Sequence, residues 1–304
     1  MTFSTRLTAA VRRKKNPVLV GLDPRLDSLP ESLRTGVAPA TAFERFCCEI
    51  IDVVAPLVPA VKPQTAFFEQ YGPDGMVALA SVIRYARQRG LLVVFDGKRN
   101  DIGSTAEAYA KGILGEQSAW GADALTVSPY LGDDSVEPFV RTAHERDAGV
   151  FLLVKTSNPG GAMIQDLNAE GKTVYRRIAD YVQERTLRTR KADEFYGVVG
   201  AVVGATWPQQ LAELRETMPN AWLLVPGFGT QGGSAKDVSA AFDTDGLGAI
   251  INNSRGIIFA HSRPEYEKFG ETNWLRAVET ATLDMIEQLR QDTPTGMLTE
   301  AKNP

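Results

Sequence analysis

Short apolar runs rich in β-branched residues alternate along this chain with longer segments whose apolar positions recur every three or four residues. The runs are Pro17–Asp23, Val58–Lys62, Leu91–Lys98, Ala122–Ser128, Gly149–Val154, Gly197–Val203, Ala221–Val225 and Gly248–Asn252. Their length and composition predict strands. The segments between them predict amphipathic helices, for instance Thr41–Val54 and Gly75–Arg89. In the last one Leu275, Val278, Thr282, Met285 and Leu289 form one stripe, with Asn273 placed to cap it. Eight strands alternating with helices predict a parallel sheet, and eight is the number that closes a TIM (β/α)8 barrel. An open doubly wound sheet is the alternative that strand counting leaves.

A length of 304 residues would accommodate two average domains, but barrels of about 250 residues fold as one. No low-complexity linker divides the chain, so residues 1–304 read as a single domain. The stretch from Lys155 to Gly197 is longer than a minimal crossover. It opens with Ser157-Asn158-Pro159-Gly160-Gly161 and continues to a helix near Thr173–Arg185. A Gly-rich strand exit followed by extra chain predicts a lid over the barrel mouth, near residues 157–172. The polar tail 291–304, with two prolines, is expected to fray. Met1–Leu22 lacks acids and carries five basic residues, as organellar transit peptides do. The favoured expectation is a first helix covering the barrel bottom, because a strand follows it without a linker.

Composition narrows the functional classes. With 43% hydrophobic and 23% charged residues the chain has ordinary globular character. The net charge of −4 provides no basic field for nucleic acid. No apolar run reaches the length that spans a membrane. Cys47 and Cys48 are neighbours in a helical pattern and point about 100° apart, so the pair reads as free thiols in a reducing cytoplasm. His144 and His261 are the only histidines, and no Cys/His cluster supports a metal site.

The densest chemistry lies in Val93-Val94-Phe95-Asp96-Gly97-Lys98-Arg99-Asn100-Asp101-Ile102. A strand period of two puts Asp96 and Lys98 on one face, and Asp101 follows near enough to be a second carboxylate beside the ammonium. Flanking carboxylates keep a lysine protonated, which suits proton donation better than Schiff-base chemistry. Other predicted strand ends are also polar: Asp23-Pro24, Lys62-Pro63-Gln64, Lys155-Thr156-Ser157 and Asn253-Ser254-Arg255. In a barrel these ends share one rim, where the chemistry of this architecture sits. After strand seven come Gly227, Gly229, Gly232 and Gly233, with a helix expected from Ser234. Such a loop and helix start, beside Arg255, suit a phosphate group.

These residues resemble the orotidine 5′-phosphate decarboxylase family, in its longer bacterial branch. The match rests on Asp96-x-Lys98-x-x-Asp101-Ile102, Leu22-Asp23-Pro24, Lys62, Thr156-Ser157-Asn158-Pro159-Gly160 and Pro226-Gly-Phe-Gly-Thr-Gln231-Gly-Gly, all in the family's order. It spans about Pro17 to Ser262. The resemblance implies conversion of orotidine 5′-monophosphate to UMP and carbon dioxide without metal or organic cofactor. It implies Lys98 as the proton donor to C6 and Asp96 beside the substrate carboxylate. Lys62 would link Asp96 to the ribose, and Asp23 would bind a ribose hydroxyl. Ser157 would read the pyrimidine, and Gln231 and Arg255 would hold the phosphate. It further implies a homodimer in which Asp101, Ile102 and Thr105 serve the partner's site.

Two positions depart from shorter relatives. Ser254 stands before Arg255 where they often carry glycine, and Lys155 has no assigned role. Two rival functions stand beside the decarboxylase. One is a magnesium-dependent sugar-phosphate decarboxylase or synthase on the same barrel, which would place carboxylates where strand two offers Lys62. The other is a non-catalytic phosphate-ligand binder, which has no need of Asp96, Lys98 and Asp101 together.

Overall fold

The computed structural model describes residues 1–229 and 232–300. Eight parallel strands close into a barrel: β1 Val18–Leu22, β2 Ala60–Pro63, β3 Leu92–Arg99, β4 Ala124–Val127, β5 Gly149–Lys155, β6 Val199–Val203, β7 Leu223–Val225 and β8 Ala249–Asn253. The order around the ring follows the chain, and β1 pairs with β2 on one side and β8 on the other. The barrel, not the open sheet, is therefore the architecture. The longer helices around it are α1 Phe3–Lys14, α2 Pro39–Val54, α3 Gly72–Gln88, α4 Gly103–Ile113, α5 Asp133–Glu145, α6 Val174–Thr189, α7 Pro208–Thr217 and α8 Trp274–Asp292.

Alternation along each strand makes two cores. Leu19, Ala60, Val94, Ala124, Phe151 and Ile250 meet inside the ring. Val20, Val61 and Val93 face outward onto helix residues such as Phe43, Ile50 and Val82. Inward positions one step further along β2, β3 and β4 are Lys62, Asp96 and Thr126. The same periodicity that fills the barrel thus lifts polar side chains onto its upper floor.

The basic N-terminal segment is α1, a helix of the fold. Phe3, Leu7 and Val11 are buried in the inner core, and Phe3 packs edge-on against Phe151 at 5.9 Å. The tail departs from expectation. After Asp292 it turns through Pro294–Gly296 into the helical turn Met297–Glu300, which buries Thr295 and Leu298. Leu298 joins Phe3 and Leu7 under the barrel, so apolar contact holds a stretch whose composition suggests fraying. Residues 301–304 lie outside the described residues. Asn273 stands at the start of α8 but its side chain makes no capping hydrogen bond. Among the described residues, no helix is long and apolar enough to cross a membrane.

Candidate active site

A cavity of about 510 Å³ opens at the C-terminal ends of the strands. All six polar strand ends reach it: Asp23 after β1, Lys62 on β2, Asp96 and Lys98 on β3, Ser157 after β5, Gly227 after β7 and Arg255 after β8. Gln64 of the strand-two end also lines it, as do Thr126, Gln165 and Asn252, to which the sequence pattern assigns no role.

The charged centre is organised around Asp96. Its Oδ2 accepts from Lys62 Nζ at 2.6 Å and Gln64 Nε2 at 3.1 Å. Its Oδ1 accepts from Lys98 Nζ at 2.8 Å and Thr126 Oγ1 at 2.9 Å. Asp96 and Lys62 are both buried, whereas the Lys98 side chain is 47% exposed. Burial alone would raise the Asp96 carboxyl. The charges of Lys62 and Lys98, with their hydrogen bonds, outweigh it and hold the group well below the usual carboxylate range. Burial likewise pulls the Lys62 ammonium down, but Asp96 and Asp23 together push it above its ordinary value. Asp96 is therefore a fixed anion, and Lys98 is the member of the cluster that a ligand in the cavity can reach.

Lys98 does not arrive there by regular strand geometry. Between the pairs Phe95↔Leu125 and Arg99↔Val127, three residues of β3 stand opposite Thr126 alone. Inside this bulge Lys98 has φ of +42°, in the left-handed region. For a residue with a Cβ such a conformation costs about 1–3 kcal/mol, and bulges of this kind re-aim side chains beside active sites. The expected shared face is observed, but the bulge produces it.

Along the β1 and β8 wall, Asp23 Oδ1, Asn252 Oδ1 and Ser254 Oγ are buried without hydrogen-bond partners among the described residues. Buried acceptors of this kind are costly unless matched, and they suit a ligand bearing hydroxyl groups. Gly21 is what lets Ser254 stand there: a Cβ on Gly21 would fall 1.8 Å from Ser254 Oγ.

The glycine loop is less open than its sequence predicts. Gly229, Gly232 and Gly233 donate their N–H groups to carbonyls within the loop. The helix after Ser234 is a single turn, Ala235–Val238, and the Ser234 N–H is taken by Asp237. These amides are spent on the loop's own turn, so the charge facing this end of the cavity is Arg255. Gln231 lies outside the described residues.

On the strand-five side, Gly204 admits Ser157 to the cavity wall, since a Cβ there would lie 2.7 Å from Ser157 Cα. Thr206 Oγ1 donates to the Ser157 carbonyl at 3.0 Å. Gln165 accepts from Thr156 N–H at 3.0 Å and donates to Thr156 Oγ1 at 2.8 Å, tying the turn Ala162–Gln165 to the strand-five end beside the cavity. Lys155 is not on the rim. A register shift between Leu153 and Lys155 turns it away from the cavity to pair with Asp166.

Asp101 also departs from expectation. Among the described residues the Lys98 ammonium pairs with Asp96 and not with Asp101, whose Oδ1 instead accepts the Ile102 N–H at 2.9 Å. The bulge ends β3 with Asp101, Ile102 and Thr105 at the start of α4, outside the cavity lining. Ile102 is 58% exposed there.

Among the described residues, no group of three or more His, Cys, Asp or Glu side chains is placed to hold a metal ion, and Cys47 and Cys48 are free thiols. Burial pushes the Cys47 thiol well above its ordinary value. A buried anion clamped between two ammonium groups at the rim of a (β/α)8 barrel defines the class: a barrel enzyme acting on a small anionic substrate.

A family model described as orotidine 5′-phosphate decarboxylase / HUMPS matches residues 16–269. The chain is 58% identical over 301 residues to the orotidine 5′-phosphate decarboxylase of Rhodopirellula baltica, spanning 95% of this chain and 99% of that protein. The enzyme of the same name from Deinococcus radiodurans is 42% identical over 259 residues, 85% of this chain and 90% of its own. The solved structure of Leishmania donovani OMP decarboxylase superposes with a TM-score of 0.76 at 33% identity, covering 99% of this chain and all of that one. The chain belongs to the orotidine 5′-phosphate decarboxylase / HUMPS family.

Proposed function

We propose that Lys98 is the proton donor in the conversion of orotidine 5′-monophosphate to UMP and carbon dioxide, the reaction named for this chain's relatives. The single observation that carries the reading is the pairing of a fixed Asp96 anion with an accessible Lys98 ammonium 2.8 Å away in the cavity. In this reaction the bond from C6 to its carboxylate breaks, carbon dioxide leaves, and the electron pair remains on C6. That sp² pair lies in the ring plane and cannot delocalise into the ring carbonyls. A preorganised ammonium beside it stabilises the developing charge without reorganising and then transfers its proton. Lys98, half exposed, regains a proton from solvent after product leaves.

The family resemblance supports roles for the other residues. Asp96 faces the substrate carboxylate, and Asp23 and Lys62 take ribose hydroxyls. Ser157 reads the pyrimidine edge, and Arg255 with Gln231 holds the phosphate. The segment near 157–172 closes over the substrate as a lid, so binding energy from the remote phosphate is used at C6. No metal or organic cofactor is required in this scheme. Two chains form a homodimer in which Asp101, Ile102 and Thr105 complete the partner's site, and the enzyme works in the cytoplasm.

The test follows the loss of orotidine 5′-monophosphate absorbance in EDTA for wild type and Lys98→Ala. The expected result is metal-independent turnover by wild type and a fall of about 10³-fold or more in the variant. No turnover by wild type, with or without magnesium, would overturn the reading and bring sugar phosphates forward as substrates.

A further inference from the structure

The bulge in β3 leaves a question that the charged cluster does not answer: what holds Lys98 in a left-handed conformation while its ammonium stays on Asp96. Thr126 stands alone opposite the three bulged residues and is 1% exposed. Its hydroxyl accepts the backbone N–H of Lys98 at 2.9 Å and donates to Asp96 Oδ1 at 2.9 Å. The direction is fixed by chemistry. An N–H can only donate, and an ionised carboxylate can only accept, so the one hydroxyl proton goes to Asp96.

Asp96 Oδ1 is also the oxygen that takes the Lys98 ammonium. A closed ring results: Lys98 backbone to Thr126 hydroxyl, hydroxyl to Asp96, and Asp96 to Lys98 Nζ. The ring ties the Lys98 backbone directly, and its ammonium by way of Asp96, to one buried hydroxyl on the neighbouring strand. Without that hydroxyl, the Lys98 N–H and Asp96 Oδ1 each lose a partner at the bulge, and the ammonium loses its fixed starting point.

We propose that Thr126 is a positioning residue for the decarboxylation: its hydroxyl sets the bulge that aims the Lys98 ammonium at the reacting carbon. The proposal rests on the reading of Lys98 as proton donor and adds a residue to it. The effect belongs in the chemical step and not in binding, because the hydroxyl is committed to Lys98 and Asp96. A displacement of about 1 Å in a reacting group can cost roughly 100-fold in rate.

The experiment compares Thr126→Val, which keeps the shape and removes the hydroxyl, with Thr126→Ser, which keeps the hydroxyl, and uses Lys98→Ala as reference. Steady-state turnover of orotidine 5′-monophosphate gives kcat and KM, and thermal melts report folding. The expected result for Thr126→Val is kcat lower by about 10- to 100-fold with KM within about 3-fold of wild type. Thr126→Ser should recover most of that kcat. Should Thr126→Val not fold, Thr126→Ala is read against Thr126→Ser in the same way. Wild-type kcat without the hydroxyl, or a loss that serine does not restore, overturns the proposal. Full turnover by Lys98→Ala would instead overturn the site reading beneath it, so the two failures are distinguishable.

Discussion

Lys98, next to last in β3, and Lys155, last in β5, each lie in a register shift, and the two shifts send them in opposite directions. Lys98 turns into the cavity and meets Asp96. Lys155 turns behind the strand-five loop, where it is 1% exposed and pairs with Asp166. Its ammonium lies 4.6 Å from the Trp207 ring centre and 5.4 Å from that of Tyr175. Trp207 in turn donates its indole N–H to the Thr156 carbonyl at 2.8 Å. One lysine faces the cavity, and the other ties the segment expected to form the lid to the barrel wall.

Removing Asp166 would leave the Lys155 ammonium buried with aromatic faces but no counter-charge. Asp166→Asn is expected to destabilise the fold by about 1–3 kcal/mol, less than for a wholly buried pair because Asp166 is half exposed. Lys155→Met, which fills the same channel without charge, should cost less. Urea unfolding measures the global effect, and hydrogen exchange across residues 157–172 measures the local one. Equal stability and unchanged exchange in Asp166→Asn would show that the pair does not hold this segment.

These shifts also mark where sequence reading stopped. The eight apolar runs and their spacing predict the barrel because one-sided helices and two-sided strands leave that pattern wherever they pack. Asp96, Lys62 and Asp23 were legible because each follows an apolar run at the end where barrel chemistry collects. Thr126 was not, since a lone threonine inside Ala122–Ser128 reads as an ordinary β-branched strand residue. Its level with Asp96 follows from the pairing of Val94 with Ala124, two residues before each, which the sequence does not show. The register shifts leave no local signature at Lys98 or Lys155, so Lys155 read as a rim residue and Asp101 as a partner of Lys98. The first error comes from taking the end of strand five as regular; the second rests on nearness in sequence alone, since Asp101 lies beyond the strand end.

The charges around Asp96 set a pH window for stability. The Asp96 carboxyl titrates below its unfolded value, so its contribution is complete above about pH 4 and is lost as the pH falls through the folded value. Lys62 titrates above its unfolded value, so its contribution is complete below about pH 10 and is lost as the pH rises through the folded value. Between those limits Asp96→Asn should cost about 3 kcal/mol, because it leaves Lys62 buried without its anion. The gap from wild type should narrow below about pH 4. Urea midpoints measured from pH 3 to pH 9 check this, and a gap that stays constant through the acid range would contradict it.

Arg255 faces the cavity from the start of the turn Arg255–Ile258, and the amides of Gly229, Gly232 and Gly233 are already committed. It should therefore carry much of the phosphate affinity. Arg255→Ala is expected to raise KM for orotidine 5′-monophosphate and weaken UMP binding by about 10- to 100-fold. Uridine, which lacks the phosphate, should bind both proteins alike. Calorimetry with UMP and uridine separates the cases, and an equal loss for both ligands would place Arg255 at the sugar or the base.

Asp101 and Lys98 lie three positions apart in sequence, yet Asp101 stands outside the cavity that holds Lys98. Its neighbours Ile102 and Thr105 share the exposed start of α4, and Tyr130 and Leu131 are exposed on the loop after β4. If Asp101 serves the partner subunit's site, the single variants Lys98→Ala and Asp101→Ala should each lose activity but complement one another when mixed. In a mixed dimer one site receives both substitutions, while the other combines an intact Lys98 with an intact Asp101. Random exchange of subunits in an equal mixture would restore about a quarter of the wild-type sites. The measurement is turnover after the two inactive proteins are unfolded together and refolded, with each refolded alone as control. Activity that stays at the level of the separate variants would place Asp101 in the same chain's site or outside the reaction.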